Sequence, residues 1–229
     1  MSNELNANLG ASVNTQRVIT YVDGFNLYFG MRSAGMKRMY WLDVAAVALA
    51  LLRPDQALVA TKYFTARTSG GLKLDTPDQR EKRDKKLQRQ CDYLDALKSH
   101  GGIEIIEGWY SSKLRKCRLC SGEDYRHEEK KTDAAIATEM VADAFLDRFD
   151  VALVISGDTD VVPPIQAIRK LLPSKVIISI FPPDRGNKEL KGCVNGYLYL
   201  GKNVLRACQL PETIIDTKGR KFLRPAEWR

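Results

Sequence analysis

The sequence predicts an α/β domain: a mainly parallel sheet covered by helices on both faces. Short β-rich apolar runs recur along the chain, stretches of helical periodicity separate them, and several of the runs stop abruptly at an aspartate. Strands alternating with helices of about 10–20 residues are the pattern of a buried parallel sheet.

The elements follow in order. Val18–Val22 reads as a strand that ends in Asp-Gly, where a buried run turns into a loop. Asn26 to Ser33 reads as a helix stopped by Gly35, and Trp41–Leu52 as a second helix stopped by Arg53-Pro54. Leu58–Phe64 is a second strand, and Thr68 to Pro77 a glycine-containing loop. Pro77 through Ser99 is a long charged helix whose buried face is Leu87, Cys91, Leu94 and Leu97. Ile103–Trp109 is a third strand, followed by a basic, cysteine-containing insertion at about 111–131. A helix over Thr132–Phe145 comes next, with Ile136, Met140, Val141 and Ala144 toward the core. Val151–Ser156 is a fourth strand, Val161–Leu172 a helix and Lys175–Phe181 a fifth strand. Beyond Tyr197–Leu200 the pattern weakens. The expected organisation is a disordered leader over 1–16, one domain over 17–208 and a basic C-terminal tail over 209–229.

Composition narrows the function. The 229 residues suit one domain, and 44% hydrophobic content is enough for a sizeable core. No apolar run approaches the ~18 residues that span a bilayer. Residues 1–16 lack the basic and apolar regions of a signal peptide, so a cytoplasmic location is expected. Five scattered cysteines argue against a secreted disulfide framework. A net charge of +8 favours a polyanionic partner, or is simply the mild basicity of a soluble protein.

Against that basic background, Asp23, Asp133, Asp158 and Asp160 stand at the ends of apolar runs or at a helix start. In a parallel sheet such ends meet along one edge, so the four are expected to converge. Two carboxylates ~5 Å apart repel by about 3 kcal/mol at an effective dielectric near 20, and a cluster therefore asks for protonation or a cation. Oxygen-only ligands select Mg²⁺ or Mn²⁺, which stabilise charge on a phosphodiester. Taken singly, each has a plainer reading: Asp133 as a first-turn acid, Asp158 or Asp160 as helix caps, Asp23 as a turn residue.

Three segments carry a resemblance. Val22-Asp-Gly-Phe-Asn-Leu27, Glu128-Glu-Lys-Lys-Thr-Asp133 and Val154-Ile-Ser-Gly-Asp-Thr-Asp160 resemble, in this order, the motifs of the NYN domain, the LabA-like branch of the PIN-like nuclease superfamily. The resemblance spans roughly Arg17 to Val204. It implies a Rossmann-like three-layer α/β/α sandwich, an acidic metal-binding pocket and ribonuclease activity. Asp23, Asp133, Asp158 and Asp160 fall on the family's acidic positions, and Asn26 on its asparagine, an orienter of water or phosphate. Ser156 and Thr159 match small hydroxyl positions that bond a ligand or a neighbouring carboxylate. Val161-Val-Pro-Pro164 departs from the aromatic residue that relatives tend to carry there, which bears on substrate preference.

The expected function is thus metal-dependent hydrolysis of RNA, with Lys130 or Lys131 neutralising a phosphate. The first alternative is a non-catalytic NYN module that binds RNA or a protein. A phosphatase of the haloacid-dehalogenase type is weaker, because the residue two places after Asp23 is Phe25, which transfers no proton. Lys113, Arg115, Lys116 and Arg118, following Trp109 and Tyr110, are expected to contact nucleic acid. The basic run from Arg80 to Arg89 is interleaved with acids and reads as a solvated helix face. Cys117 and Cys120 have metal-ligand spacing, with His127 near and His100 further off, and are either a structural zinc site or free thiols. Oligomeric state is left open.

Overall fold

The computed structural model describes residues 15–67, 76–116 and 123–229. Its strands are β1 (Gln16–Asp23), β2 (Gln56–Ala66), β3 (Glu104–Lys116), β4 (Glu123–Lys130), β5 (Val151–Ile155), β6 (Val176–Phe181), β7 (Gly196–Tyr199), β8 (Thr213–Ile215) and β9 (Lys221–Leu223). The helices are α1 (Gly24–Ser33), α2 (Val44–Ala50), α3 (Pro77–His100), α4 (Thr132–Phe145), α5 (Val162–Leu171), α6 (Lys188–Cys193) and α7 (Lys202–Ala207).

A seven-stranded sheet in the order β4-β3-β2-β1-β5-β6-β7 forms the middle layer. Every pairing in it is parallel except β3 with β4. The chain winds outward from β1 to one side through β2 and β3, then returns to pair β5 with the other edge of β1. That reversal is the topological switch point of a doubly wound sheet.

Period-two alternation divides the core into two layers. Val18 and Val22 of β1, with Val151, Leu153 and Ile155 of β5, pack with Leu27, Val44, Leu94 and Leu205 from α1, α2, α3 and α7. Ile19 and Tyr21, with Ala152 and Val154, pack with Ile136, Ile165 and Leu190 from α4, α5 and α6. Each fully buried Val, Leu or Ile contributes about 1.5–3 kcal/mol through removal of apolar area from water. Because β1 and β5 are covered on both faces, they read in sequence as unbroken apolar runs.

Some boundaries differ from the sequence expectation. Helix α2 is shorter than Trp41–Leu52, because Asp43 caps it, its Oδ1 accepting from the Ala46 N–H at 3.0 Å. Trp41 and Leu42 lie outside the helix, fully buried, with Leu42 bridging to Gln209. On the long helix α3, Leu94 and Leu97 are buried as expected, whereas Leu87 and Cys91 are only half-buried. The described part of the 111–131 insertion is an antiparallel ribbon of β3 and β4. Residues 209–229, expected as a tail, form the β8–β9 ribbon and a closing turn. Ile214, Phe222 and Trp228 join the core, and Trp41 Nε1 donates to the Pro211 carbonyl at 2.8 Å. Of the expected leader over 1–16, Gln16 opens β1 and residues 1–14 lie outside the described residues.

One buried polar network ties the layers together. Asp143 of α4, with no exposed surface, accepts from Lys62 of β2 at 2.7 Å, from the Tyr21 hydroxyl of β1 at 2.7 Å and from Arg148 at 3.0 Å. Lys62 also reaches Glu139 at 2.5 Å. Burial pushes the Asp143 carboxyl up, and the hydrogen bonds from Lys62 and Tyr21 more than offset this, leaving it below the usual range.

At the far edge, β7 exposes Tyr197, Leu198 and Tyr199. The Lys191 ammonium lies 4.8 Å from the Tyr197 ring centre and 5.2 Å from that of Tyr199.

Candidate functional site

Strands β1 and β5 end side by side at the switch point, and both ends carry polar residues. Asp23, only 6% exposed, is the last residue of β1 and the cap of α1. Its Oδ1 accepts from the Asn26 N–H at 2.9 Å, and the Ser156 hydroxyl donates to its Oδ2 at 3.0 Å. The same Ser156 oxygen accepts from the Asp158 N–H at 3.0 Å, so one hydroxyl couples the two strand ends. Asp158 in turn accepts from the Asp160 N–H at 3.2 Å and caps the 3₁₀ turn leading into α5.

The loop after β5 is clamped through its glycine. Gly157 donates its N–H to Asn26 Oδ1 at 2.9 Å, and its carbonyl accepts from Asn187 Nδ2 at 3.2 Å. Asn187 also caps α6 through the Glu189 and Leu190 amides. A Cβ on Gly157 would lie 2.0 Å from the Arg185 carbonyl oxygen. Gly157→Ala must therefore displace one of the two loops, and the expected result is a loss of at least about 1–3 kcal/mol, read from the urea midpoint, together with loss of any activity that needs Asp158.

The electrostatics are those of crowded acids. Burial raises the Asp23 carboxyl to about 6 despite its two hydrogen bonds, and the Asp133 and Asp158 charges push the same way. Asp133, in the first turn of α4, is raised by partial burial and by the Asp158 and Asp160 charges. Asp133 thus feels the charges of Asp158 and Asp160, and Asp23 those of Asp133 and Asp158. The four do not form a closed cage: among the described residues no group of three or more His, Cys, Asp or Glu side chains is placed to hold a metal ion. The donor chemistry nonetheless fits Mg²⁺ or Mn²⁺, hard ions commonly held by one or two carboxylates with waters and substrate phosphates completing the shell.

The other expected residues divide. Asn26 spends its Oδ1 on Gly157, so it positions the Asp158 loop. Thr159 is exposed and lines a cleft of about 310 Å³ with Asn26, Asp158, Asp184, Arg185 and Asn187. Lys131 precedes α4 in a left-handed conformation, φ 77°, and Lys130 ends β4. Lys113, Arg115 and Lys116 lie on β3, where the backbone register sets Arg115 opposite Asp124 and Lys116 opposite Glu123, acidic cross-strand neighbours that the linear sequence hides. Arg118, Cys117 and Cys120 lie outside the described residues, and His127 is on β4 opposite Ser112. His100 sits 3.1 Å from Asp43 at the end of α3. Asn187 and Arg185 escaped sequence reading. Their signal was the Pro182-Pro-Asp-Arg-Gly-Asn187 turn, which follows a strand ending on the same edge.

The fold and site define a doubly wound α/β protein with an acidic switch-point cleft. The chain belongs to the NYN-domain family, whose model matches residues 17–201, and the family is grouped with the PIN-like nucleases. It is 26% identical over 250 residues to the 6-hydroxy-3-succinoylpyridine 3-monooxygenase HspA of Pseudomonas putida (strain DSM 28022 / S16), covering 93% of this chain and 75% of that protein. The crystal structure of a protein of unknown function, VPA0982 from Vibrio parahaemolyticus RIMD 2210633, superposes with a TM-score of 0.48 at 16% identity, over 83% of this chain and 96% of that one. No described helix is long and apolar enough to cross a membrane.

Proposed function

We propose that this NYN domain hydrolyses RNA phosphodiester bonds with the help of Mg²⁺ or Mn²⁺ at the switch-point cleft. The observation that carries this reading is the coupling of Asp23 and Asp158 through Ser156, with Asp133 and Asp160 in the same field. Asp23 and Asp158, the pair coupled through Ser156, would hold the ion with waters and substrate phosphate completing its shell, and Asp133 and Asp160 would add negative charge beside it. When bound, the ion supplies charge stabilisation at the phosphate and a more acidic attacking water. Asn26 and Asn187 hold the Gly157 peptide and so keep Asp158 pointed along its strand end. Thr159 and Arg185 line the cleft where a phosphate would sit, and Lys130 and Lys131 stand at the chain entry to α4.

The test is cleavage of a labelled single-stranded RNA with and without Mn²⁺. Asp158→Asn is expected to lower turnover by at least about 10–100-fold, the range seen when even outer-shell support of a metal is lost. Full activity in that variant would sink the mechanism. A second reading draws on the lack of a three-carboxylate cage among the described residues: an RNA-binding NYN module without turnover. It predicts retention of the RNA on a filter, undiminished in Asp158→Asn, with no cleavage at any Mn²⁺ concentration. The relative's oxygenation of a pyridine is a different reaction, and at 26% identity we carry no chemistry from it.

A further inference from the structure

The first turn of α1 separates the acidic cleft from a second cavity. Asn26 faces the cleft, while Gly24, Phe25, Leu27 and Tyr28 line a partly open pocket of about 240 Å³. That is slightly less than the ~300–1,000 Å³ of drug-sized sites and gives room for a single ring system with a substituent.

The cavity wall is aromatic. Tyr28 and Tyr40 have ring centres 5.1 Å apart, Tyr40 and Trp228 5.7 Å, and Tyr93 and Trp228 6.2 Å. The plainer account is that these rings are core. A core, however, closes to voids no larger than a water molecule, and this wall leaves open volume. Its rim is basic as well: Lys37, Lys86 and Arg89 line the same cavity. Glu227 pairs with Arg89 at 2.8 Å and its charge also reaches Lys37, whereas no carboxylate among the described residues bonds Lys86. The Lys86 ammonium is held below its ordinary value by partial burial and by the Arg32 and Arg89 charges, a repulsion that an incoming anion relieves.

We propose that this cavity is a binding site for a planar heteroaromatic ring bearing an anionic group, stacked against Tyr28, Tyr40 and Trp228 with its charge at Lys86 and Lys37. Two sources share that chemistry: a nucleotide, base and phosphate together, or a free heteroaromatic acid. Stacking of a ring on aromatic side chains and a charge at the rim are each worth about tenfold in affinity or more.

Calorimetric titration of the full chain with AMP and with nicotinate tests this, using adenosine and nicotinamide as the uncharged counterparts. An anion is expected to bind at least about tenfold tighter than its neutral counterpart, and Lys86→Gln to remove that preference. Tyr28→Leu is expected to weaken both members of a pair. Binding of AMP identifies a nucleotide site and binding of nicotinate alone a free-acid site. No binding of either anion at millimolar concentration overturns the proposal, as does affinity unmoved by both substitutions. The proposal stands apart from RNA hydrolysis. AMP binding retained in Asp158→Asn, without RNA cleavage by the wild type, removes only the nuclease reading. Cleavage without binding removes only this one.

Discussion

Asp23→Asn is expected to raise the melting temperature of the metal-free protein at pH 7.5 while abolishing RNA cleavage. In the fold the Asp23 carboxyl is lifted from 3.8 to about 6 by burial and by its acidic neighbours. A carboxyl with a raised folded pKa contributes stability that is complete below pH ~4 and is lost as pH rises through about 6. Above that, keeping Asp23 ionised costs about 3 kcal/mol, from roughly two pKa units at 1.36 kcal/mol each. Asparagine carries no charge, can still accept from the Asn26 amide and can turn its Nδ2 toward Ser156. We expect a net gain of about 1–2 kcal/mol, or several degrees in Tm for a chain of this size. The stability dependence between pH 4 and 6 should flatten at the same time. Mn²⁺ should raise the Tm of the wild type and leave the variant unchanged, since an ion stabilises only the state that binds it. Thermal scans in EDTA across pH and with added Mn²⁺ measure all of this. A variant less stable than wild type in EDTA at pH 7.5 would contradict the account.

The largest loss of stability is expected at Asp143→Ala. That change strands the Lys62 ammonium, itself 5% exposed, with Glu139 as its remaining partner, and takes the acceptor from the Tyr21 hydroxyl. Breaking a buried ion pair on one side costs about 3–5 kcal/mol, read as a shift in the urea midpoint at constant slope. Replacing both partners, Lys62→Met with Asp143→Leu, should restore much of the loss, because the charges that then lose a partner, Glu139 and Arg148, reach solvent, and only the Tyr21 hydroxyl stays buried without its acceptor. The held-down Asp143 carboxyl also sets a sign: its contribution is present at neutral pH and lost as pH falls through its depressed folded pKa. A double variant as unstable as the single one would show that the network matters for more than charge pairing.

What the sequence revealed followed where the free energy lies. The central strands β1, β5 and β6 are apolar because both faces are covered, so they showed as continuous runs. Helix α4 was readable to the residue, its amphipathic pattern starting at Thr132. Helix α2 was overestimated because Trp41 and Leu42 are as apolar as the helix, and only the capping geometry of Asp43 separates them from it. The β3–β4 ribbon was missed because Glu123–Lys130 is almost wholly polar and its pairing comes from backbone hydrogen bonds. At the site, the aspartates were visible as punctuation of apolar runs. Asn187 was not, since its role depends on β6 lying next to β5, which no local pattern reports. The aromatic wall was hidden for a similar reason: Trp228 reaches Tyr40 across most of the chain's length.

The β7 edge has a colloidal consequence. A terminal strand that shows Tyr197, Leu198 and Tyr199 to solvent is a template on which another chain's strand can add, and edges of this kind drive aggregation. Lys191 lies across those rings and sets a hydrated cation where an incoming strand would have to dock. A residue that contributes nothing to the cleft thus stands, in these terms, as a guard on the exposed edge of the sheet.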